Sequence, residues 1–369
     1  MTKKLYIIIP TLIIFIVASM LFIFKQNEDK ETWVAYFAPS STDVMYKEGN
    51  ASLVEFNSDG KVKYFNTYAY PFSGLVNFNN ELIFQTKDGL AKLNKDIENQ
   101  NVDLNEDTVG YTMAGNLNED VYYFLCNGSF KTNYYSSKII IGSKENNYIH
   151  EIKGFINSYG NDEDNIFLLT DDMTNRNNKQ IQKISINNIN DINIQSNNLV
   201  FDYEVESNFR MIVLNNYIYA FVIRDRNKIS ILKISKDSLS IENTLDLITF
   251  NSSSDGDSYY PISTNAIFFK DNKIYYPTLS GKVYSFDIST DNFIEEFTLK
   301  NYSMDNCLNP ICYYDYKNFE IYLLYQEYID NKYYLASYNL DGEQKCKICL
   351  KSLKLKNNLY AHNFIKKSS

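Results

Sequence analysis

The residues with the clearest chemical potential are five cysteines, four of which lie toward the C-terminal end. These four are Cys307, Cys312, Cys346 and Cys349, and the fifth is Cys126. Cys346 and Cys349 form a CxxC pair. Together with Cys307 and Cys312, this pair could hold a zinc ion or form one or two disulfides. On a strand, however, residues three apart point to opposite faces, so the CxxC cannot chelate a metal as it stands. We expect no metal site, and either buried free thiols or at least one disulfide.

The other residues suited to catalysis form no recognisable motif. The chain has two histidines, His150 and His362, and each falls on an expected strand. Neither an HExxH nor a GxSxG segment is present. Asp255 and Asp257 hint at a calcium loop, but the further acids and the closing Glu of such a loop are missing. The catalytic residues are therefore unknown, no cofactor is expected, and an enzyme is the less favoured class.

Six tyrosines in the longer polar loops form a second chemically useful set. They are Tyr134, Tyr135, Tyr259, Tyr260, Tyr302 and Tyr328. Exposed tyrosines on loops make good adhesive surface for a partner, although they can also simply cover the sheet that carries them. We expect these six on one face of the molecule and regard that face as the candidate ligand-binding surface.

A repeating β-architecture must position these residues. Residues 271–290, DNKIYYPTLSGKVYSFDIST, have the alternation and turn chemistry of two strands joined by a turn. The strand that ends in an apolar residue before a polar turn recurs seven times, at Phe56, Leu93, Ile141, Ile184, Ile234, Phe286 and Tyr338. A β-sandwich has no such period, whereas four-stranded repeats of roughly 40–50 residues are typical of propeller blades. The sequence predicts an all-β, seven-bladed β-propeller of four-stranded antiparallel blades.

The two ends of the repeat array are complementary. The first copy, at residues 33–37, has no strand before it in the array, whereas residues 359–365 read as a strand with no blade after it. An open seam would leave a row of unpaired N–H and C=O groups. We hypothesise that residues 359–365 complete the first blade beside residues 33–37.

The N-terminal residues predict a membrane anchor. Residues 5–24 carry no charge, and twenty helical residues span the roughly 30 Å of bilayer hydrocarbon. Lys3 and Lys4 precede this segment, which favours an N-terminus inside and a body outside. We predict a cytoplasmic stub (1–4), a single transmembrane helix (5–24), a linker (25–32) and an exported propeller (33–365). A cleaved signal peptide is the alternative, but Phe22 and Phe24 stand where small residues should precede a cleavage site.

The charge balance argues against nucleic acid as a partner. The net charge is −9 and the isoelectric point is about 5.0. Beyond Lys3 and Lys4, the only run of adjacent basic residues is Lys366-Lys367 at the C-terminal tail. Phosphate binding needs clustered lysines and arginines, so we expect a protein or glycan partner besides the membrane.

One repeat resembles a known family. The segment NKIYYPTLSGKVYSFDISTDN is similar to the repeat of PQQ-like (quinoprotein-type) β-propellers, closely over residues 273–292, while the other six copies are degenerate. The resemblance implies a ring of blades and, in many relatives, a scaffold at a cell envelope. It does not carry over the quinone enzyme, whose cofactor is covered by a tryptophan and adjacent cysteines. This chain has only Trp33 and no Cys-Cys pair, and it also lacks the signature boxes of sialidase-type and WD-type propellers.

Two functional hypotheses follow. The first is a membrane-anchored, extracytoplasmic propeller that acts as a binding or assembly scaffold for a protein or an envelope glycan. The alternative is a hydrolase or lyase whose carboxylates and tyrosines meet over the central channel, because such a site needs no local motif.

Overall fold

The computed structural model describes residues 31–39, 51–67, 74–86, 89–94, 96–100, 112–171, 178–207, 209–250, 258–355 and 359–367. The expected stub (1–4), the transmembrane helix (5–24) and nearly all of the linker (25–32) lie outside these ranges. Within them, no helix has the length and apolar character needed to cross a bilayer.

The chain folds into seven antiparallel sheets, which are the blades of a propeller. Blade 1 comprises β1 (Thr32–Pro39), β2 (Ala51–Asn57), β3 (Val62–Thr67) and the last strand of the chain, β29 (Leu359–Lys366). Blade 2 comprises β4 (Leu75–Phe78), β5 (Glu81–Thr86), β6 (Gly89–Leu93) and β7 (Ile97–Gln100). Blade 3 comprises β8 (Thr112–Asn116), β9 (Tyr122–Phe130), β10 (Tyr135–Gly142) and β11 (Asn147–Lys153). Blade 4 comprises β12 (Phe155–Asn161), β13 (Asn165–Asp171), β14 (Asn178–Asn188) and β15 (Asp191–Val200).

The remaining three blades follow the same plan, with one variation. Blade 5 begins with two short segments, β16 (Val205–Glu206) and β17 (Ile212–Leu214), which both pair with β18 (Tyr217–Arg224) and are followed by β19 (Lys228–Ser235) and β20 (Ile241–Thr249). Blade 6 comprises β21 (Phe268–Lys270), β22 (Lys273–Pro277), β23 (Lys282–Asp287) and β24 (Asn292–Thr298). Blade 7 comprises β25 (Cys307–Asp315), β26 (Glu320–Glu327), β27 (Tyr333–Tyr338) and β28 (Gln344–Cys349), preceded by a 3-10 turn at Met304–Asn306.

The strand order defines an inside and two faces. The edge strands β4, β8, β25 and β29 contact their counterparts in neighbouring blades, so this edge of each blade lines the axis. In an antiparallel blade, the connection between the second and third strands and the connection to the next blade emerge on the same side. We call this side the upper face, and the opposite side, with the two remaining kinds of hairpin, the lower face.

Burial follows the distance from the axis. The second strands are almost entirely buried, as in β13, where the five central residues are all buried. The fourth strands are largely exposed, as in β15. The second strands are covered on both faces by neighbouring blades, so their sequences are continuous apolar runs rather than alternating ones.

Hairpin chemistry explains why the repeat contains paired polar residues. Asp271 and Asn272 both have positive φ, 49° and 61°, between β21 and β22. Asn79 and Asn80 adopt the same conformation between β4 and β5, with φ of 51° and 62°. Two consecutive left-handed residues form the type I′ turn that suits the twist of a hairpin, and Asn and Asp tolerate it best among residues with a side chain.

The last strand closes the ring. β29 runs antiparallel to β1 through seven residue pairs, from Trp33 with Lys366 to Pro39 with Leu359. Phe364 lies opposite Ala35 and is only 1% exposed, within a core cluster shared by blades 7 and 1. The pairing hypothesised from the sequence for residues 359–365 is therefore present.

Three asparagines at equivalent inner-strand positions connect blades 1 to 4 on the lower face. The side-chain amide of Asn77 donates to the carbonyl of Lys366, and that of Asn116 donates to the carbonyl of Asn77 at 2.8 Å. Asn161 continues the series with a 3.2 Å bond to the carbonyl of Asn116. Each amide thus satisfies a backbone oxygen that the neighbouring blade leaves without a strand partner.

Candidate functional site

The six tyrosines expected at a binding surface all belong to upper-face connections, but they differ in exposure. Tyr328 is 71% exposed, whereas the other five are only partly accessible. The hydroxyl of Tyr302 is shielded from solvent without a hydrogen-bond partner among the described residues, and burial raises the pKa of Tyr302 above its ordinary value. Its ring fills the space above Gly281, where a Cβ would lie 2.6 Å from it. Tyr302, on the connection from blade 6 to blade 7, therefore packs against the two blades rather than contributing to an adhesive surface.

Tyr259 and Tyr260 lie between blades 5 and 6. The ring of Tyr259 stacks on Phe250, with centroids 5.9 Å apart and an interplanar angle of 14°. Tyr260 lines a cleft of about 200 Å³ together with Glu206, Ser207 and other residues of blade 5 and the connection to blade 6. Tyr259 is thus a packing residue, whereas Tyr260 lines a cleft.

Tyr134 and Tyr135 line a larger cleft between blades 3 and 4, with a volume of about 280 Å³. We call it the blade 3–4 cleft. Blade 3 contributes its upper-face loop and the end of its outer strand, and blade 4 contributes the upper ends of β13, β14 and β15. The lining residues are Asn133, Tyr134, Tyr135, Lys153, Gly154, Thr170, Asp171, Asn178, Lys179, Gln180, Asn198 and Val200.

An ion pair between two neighbouring strands lines part of this cleft. Asp171 ends β13 and lies opposite Lys179 on β14, so the strand register brings the two side chains together. The Lys179 ammonium donates to Asp171 Oδ1 at 2.5 Å, and the side chains are 2% and 14% exposed, respectively. A buried ammonium needs such a counter-ion, because its desolvation is otherwise strongly unfavourable. Asp171 is the acceptor that it meets within the described structure, so Lys179 retains donors for a ligand.

Two charged side chains hold the ring of Tyr134 in place at the mouth of the cleft. Its hydroxyl donates to Glu151 Oε1 at 2.7 Å, and Lys153 Nζ lies 5.4 Å from its ring centroid. The hydrogen bond raises the pKa of Tyr134 and lowers the pKa of Glu151. The ring is thus fixed as a wall of the cleft, with the cation–π contact adding a modest attraction.

Tyr135 forms a rigid second wall. Its hydroxyl donates to the carbonyl of Gly128 at 2.6 Å. Its ring makes edge contacts with Phe130 and Phe155, at centroid distances of 5.2 and 5.4 Å. Burial among these rings raises the pKa of Tyr135. Both aromatic walls are therefore already positioned before any ligand arrives.

Side-chain amides add hydrogen-bonding groups to the blade 3–4 cleft. Four side-chain amides line it, from Asn133, Asn178, Gln180 and Asn198. Each amide combines a donor and an acceptor, which suits hydroxyl groups in any orientation.

The cysteines lie elsewhere, and all five are free thiols in the structure. Cys307 and Cys312 are on β25, and Cys346 and Cys349 are on β28, at opposite edges of blade 7. With two strands between them, these edges lie about 14 Å apart, whereas a disulfide needs Cα atoms within about 7 Å. A disulfide between the two strands would therefore require the blade to open.

The thiols of Cys307 and Cys312 have low reactivity because burial keeps them protonated. Burial raises the pKa of Cys312 to about 12 and that of Cys307 to about 11, which keeps both protonated near neutral pH. No group of three or more histidines, cysteines and carboxylates suited to a metal ion occurs in the described parts of the chain.

Sequence reasoning found Tyr134 and Tyr135 but missed Lys179, Asp171 and the amides. The available signal was the polar connection after β13, whose two ends carry Asp171 and Lys179. A lysine and an aspartate that face each other across such a hairpin are natural partners. The sequence alone could not predict that the upper-face loop of blade 3 completes the cleft, because that contact depends on how the blades are arranged in the ring.

Solved structures with the same fold confirm a propeller of this kind at low identity. A hypothetical selenium-binding protein from Sulfolobus tokodaii is similar with a TM-score of 0.59 and 9% identity, covering 91% of this chain and 93% of that one. A quinoprotein alcohol dehydrogenase-like protein from Bacteroides thetaiotaomicron gives 0.52 and 12%, covering 93% and 92%. BamB from Moraxella catarrhalis gives 0.45 and 11%, covering 89% and 96%. The first two likenesses show the fold alone.

The comparison at family level is more specific. No curated protein resembles the chain closely enough to count as a match. The family model described as the YycP β-propeller domain matches residues 27–365, which include the described blades except Lys366 at the end of β29. The PQQ-like resemblance of residues 273–292 is in accord with this, since the quinoprotein-like structure shares the fold. The chain therefore belongs to the YycP β-propeller family.

Proposed function

We propose that the chain is a membrane-anchored, extracytoplasmic binding propeller, and that its upper face holds an envelope glycan in the blade 3–4 cleft. The observation that carries this proposal is the composition of the cleft, with two fixed tyrosine rings, four amides and a buried Lys179–Asp171 pair around about 280 Å³. Sugar rings combine an apolar face with many hydroxyls, so they match an aromatic wall beside donors and acceptors.

The local charge favours a neutral or weakly acidic glycan. Lys179 is balanced by Asp171, and Lys153 has Glu151 beside the same tyrosine ring. The described charges of the cleft are therefore balanced, and they create no strong field of one sign that would select a highly charged polymer. A protein partner remains the second ligand class, and the binding test below distinguishes the two.

Anchoring rests on the uncharged residues 5–24 and the lysines that precede them. We expect the full chain to stay in the membrane fraction after extraction at high pH, and externally added protease to degrade the propeller in intact cells whose wall has been removed. Release at high pH would contradict the anchor, and protection of the propeller would contradict the export. A chain lacking residues 1–24 is the matched control and should be found outside the membrane pellet.

The binding proposal predicts that loss of one wall and one amide weakens glycan binding. Tyr134→Ala with Asn198→Ala removes a sugar-facing ring and a hydrogen-bonding amide, which together should reduce affinity about tenfold or more. The measurement is titration of the detergent-solubilised full chain with a panel of soluble envelope polysaccharides. Tyr328→Ala is the control, because Tyr328 is an exposed upper-face tyrosine on blade 7, away from the cleft.

The outcomes separate the hypotheses. Affinity within about twofold of the unaltered chain for the double variant would contradict the cleft as the glycan site. Binding of a co-purifying protein but of no polysaccharide would move the proposal to the protein class. Shortening of a polysaccharide during the titration would instead support the hydrolase or lyase alternative.

A further inference from the structure

The chain enters the propeller from its lower face, at the seam between blades 1 and 7. β1 runs from Thr32 toward the upper face, so Glu31 lies on the lower side of the ring. Glu31 accepts a hydrogen bond from the ammonium of Lys366 at 2.5 Å. The same ammonium donates to Asp315, the last residue of β25, at 2.8 Å. These contacts fix the entry point beside the hairpin that connects β25 to β26.

The distance from residues 5–24 to this seam is short. The seven Cα–Cα steps from residue 24 to Glu31 span at most about 25 Å, even when fully extended. β1 has eight residues and is by itself about 26 Å long from the lower to the upper face. The stretch is therefore too short to pass around the ring and bring the upper face to the lipid. If residues 5–24 cross a bilayer, the lower face is the one that meets it.

The lower-face hairpin beside the seam exposes two aromatic side chains. Tyr316 and Phe319 lie between β25 and β26 and are 51% and 48% exposed. The other large apolar side chains that are exposed in the described structure lie on strands or on upper-face connections. The inner hairpins of blades 2 and 6 place Asn80 and Asn272 in the left-handed conformation, whereas this hairpin places Phe319 there, with φ of 55°. A bulky apolar residue in that conformation costs backbone strain, so its outward ring calls for a partner.

The charge that this hairpin presents outward is positive. Lys317 is exposed between the two aromatic residues. The carboxylates of Asp315 and Glu320, which flank the hairpin, are already engaged by hydrogen bonds within the ring. Lys270, from blade 6, has its Nζ 4.5 Å from the ring centroid of Phe319 and is balanced by the aspartate that follows it. Lys317 is therefore the charge that can reach a lipid headgroup phosphate.

The opposite side of the lower face has the reverse character. The inner hairpins of blades 3 and 4 lie across the ring from blade 7. Their exposed residues include four carboxylates, those of Glu119, Asp120, Glu163 and Asp164. An anionic bilayer attracts a lysine and repels these carboxylates, so it favours contact at blade 7 over contact at blades 3 and 4.

We propose that the lower face rests on the outer surface of the bilayer through the β25–β26 hairpin, with the rings of Tyr316 and Phe319 at the boundary between headgroups and acyl chains and Lys317 at the phosphates. Aromatic rings and long lysine side chains both suit this boundary. Two rings alone would bind a bilayer weakly, so the anchor has to supply the proximity, and the inference rests on the proposed anchor. The upper face, with the blade 3–4 cleft, is then turned away from the lipid.

The test introduces a tryptophan into the hairpin of the full chain, which is reconstituted in vesicles of phosphatidylcholine and phosphatidylglycerol. Part of the phosphatidylcholine is brominated near the headgroup end of its acyl chains, because bromine quenches a tryptophan that lies close to it. Phe319→Trp and Tyr316→Trp should each lose about half of the added emission, since side chains at this boundary lie about 5–10 Å deep. Trp33, the single native tryptophan, is 1% exposed, and the unaltered chain gives its background.

Two further positions serve as controls. Tyr328→Trp replaces an exposed aromatic residue on the upper face and should keep its emission when the brominated lipid is present. Glu163→Trp lies on the lower face at blade 4 and should be quenched less than Phe319→Trp, because contact at blade 7 lifts the opposite side of the ring.

Flotation of the same vesicles after extraction at high pH separates this proposal from the anchor. A chain that floats with the vesicles while both hairpin tryptophans resist bromine keeps the anchor and overturns the contact. A chain released at high pH overturns the anchor and the contact that depends on it. Equal quenching of Glu163→Trp and Phe319→Trp would overturn contact through blade 7. Emission shifted to the blue without quenching would also overturn the proposal, since a second copy of the chain would then cover the hairpin. Because two positions report, the failure of one variant to fold leaves the other decisive.

Discussion

Deleting residues 359–369 is expected to lower the melting temperature by 10 °C or more, or to prevent folding at 37 °C. The deletion removes β29, which supplies the inner strand of blade 1 through seven residue pairs with β1. It also removes Phe364, which is 1% exposed in the core cluster between blades 7 and 1. Loss of a buried Phe side chain alone costs about 3–5 kcal/mol, and each lost strand hydrogen bond adds about 1 kcal/mol. This approaches the whole stability of a typical domain, about 5–15 kcal/mol.

The closure can be isolated from a general truncation effect. A chain ending at Lys367 keeps all of β29 and should melt within about 2 °C of the full chain. Adding a synthetic peptide of residues 359–369 to the truncated chain should recover much of the lost melting temperature, because the open groove beside β1 remains a template for a strand. A truncated chain that melts like the full one would show that the ring does not depend on its last strand.

The repeat was readable from the sequence because the second strand of every blade is buried on both sides. Runs such as residues 165–170, NIFLLT, must be apolar at consecutive positions, and this signal recurs seven times whatever the rest of each blade does. The pairing of the last strand could also be predicted from the sequence. The first blade lacked an inner strand and the last strand had no blade of its own, so pairing the two closes the ring. Residues 210–214, RMIVL, have the composition of one strand, but the structure divides them. The backbone N–H groups of Arg210 and Met211 donate to neighbouring blades, and only Ile212–Leu214 forms a strand.

The candidate site was only partly readable, for a physical reason. Whether a loop tyrosine is exposed depends on what the next blade leaves open beside it. The ring of Tyr302 packs onto the sheet because Gly281 has no Cβ and leaves room for it, whereas Tyr134 stands at a cleft because blade 4 presents short amides there.

The Lys179–Asp171 pair should respond very unequally to removal of its two members. Asp171→Ala leaves an ammonium whose side chain is only 2% exposed, without the acceptor that lies 2.5 Å away. Breaking a buried pair in this way costs about 3–5 kcal/mol. Lys179→Met should cost less, about 1–2 kcal/mol, because the methionine keeps most of the apolar volume and Asp171, at 14% exposure, can still be hydrated. Denaturant unfolding of the two variants measures the difference directly.

The double variant decides whether the pair itself is the cause. Asp171→Ala combined with Lys179→Met should be more stable than Asp171→Ala alone, since the second change removes the uncompensated charge that the first creates. Asp246→Ala is a matched control, because Asp246 pairs with Arg224 and Lys228 but its side chain is 38% exposed, so its loss should cost about 1 kcal/mol or less. If Lys179→Met proved as damaging as Asp171→Ala, the ammonium would have to be stabilised by something other than this carboxylate. The same ammonium could then no longer be counted among the donors that the blade 3–4 cleft offers to a ligand.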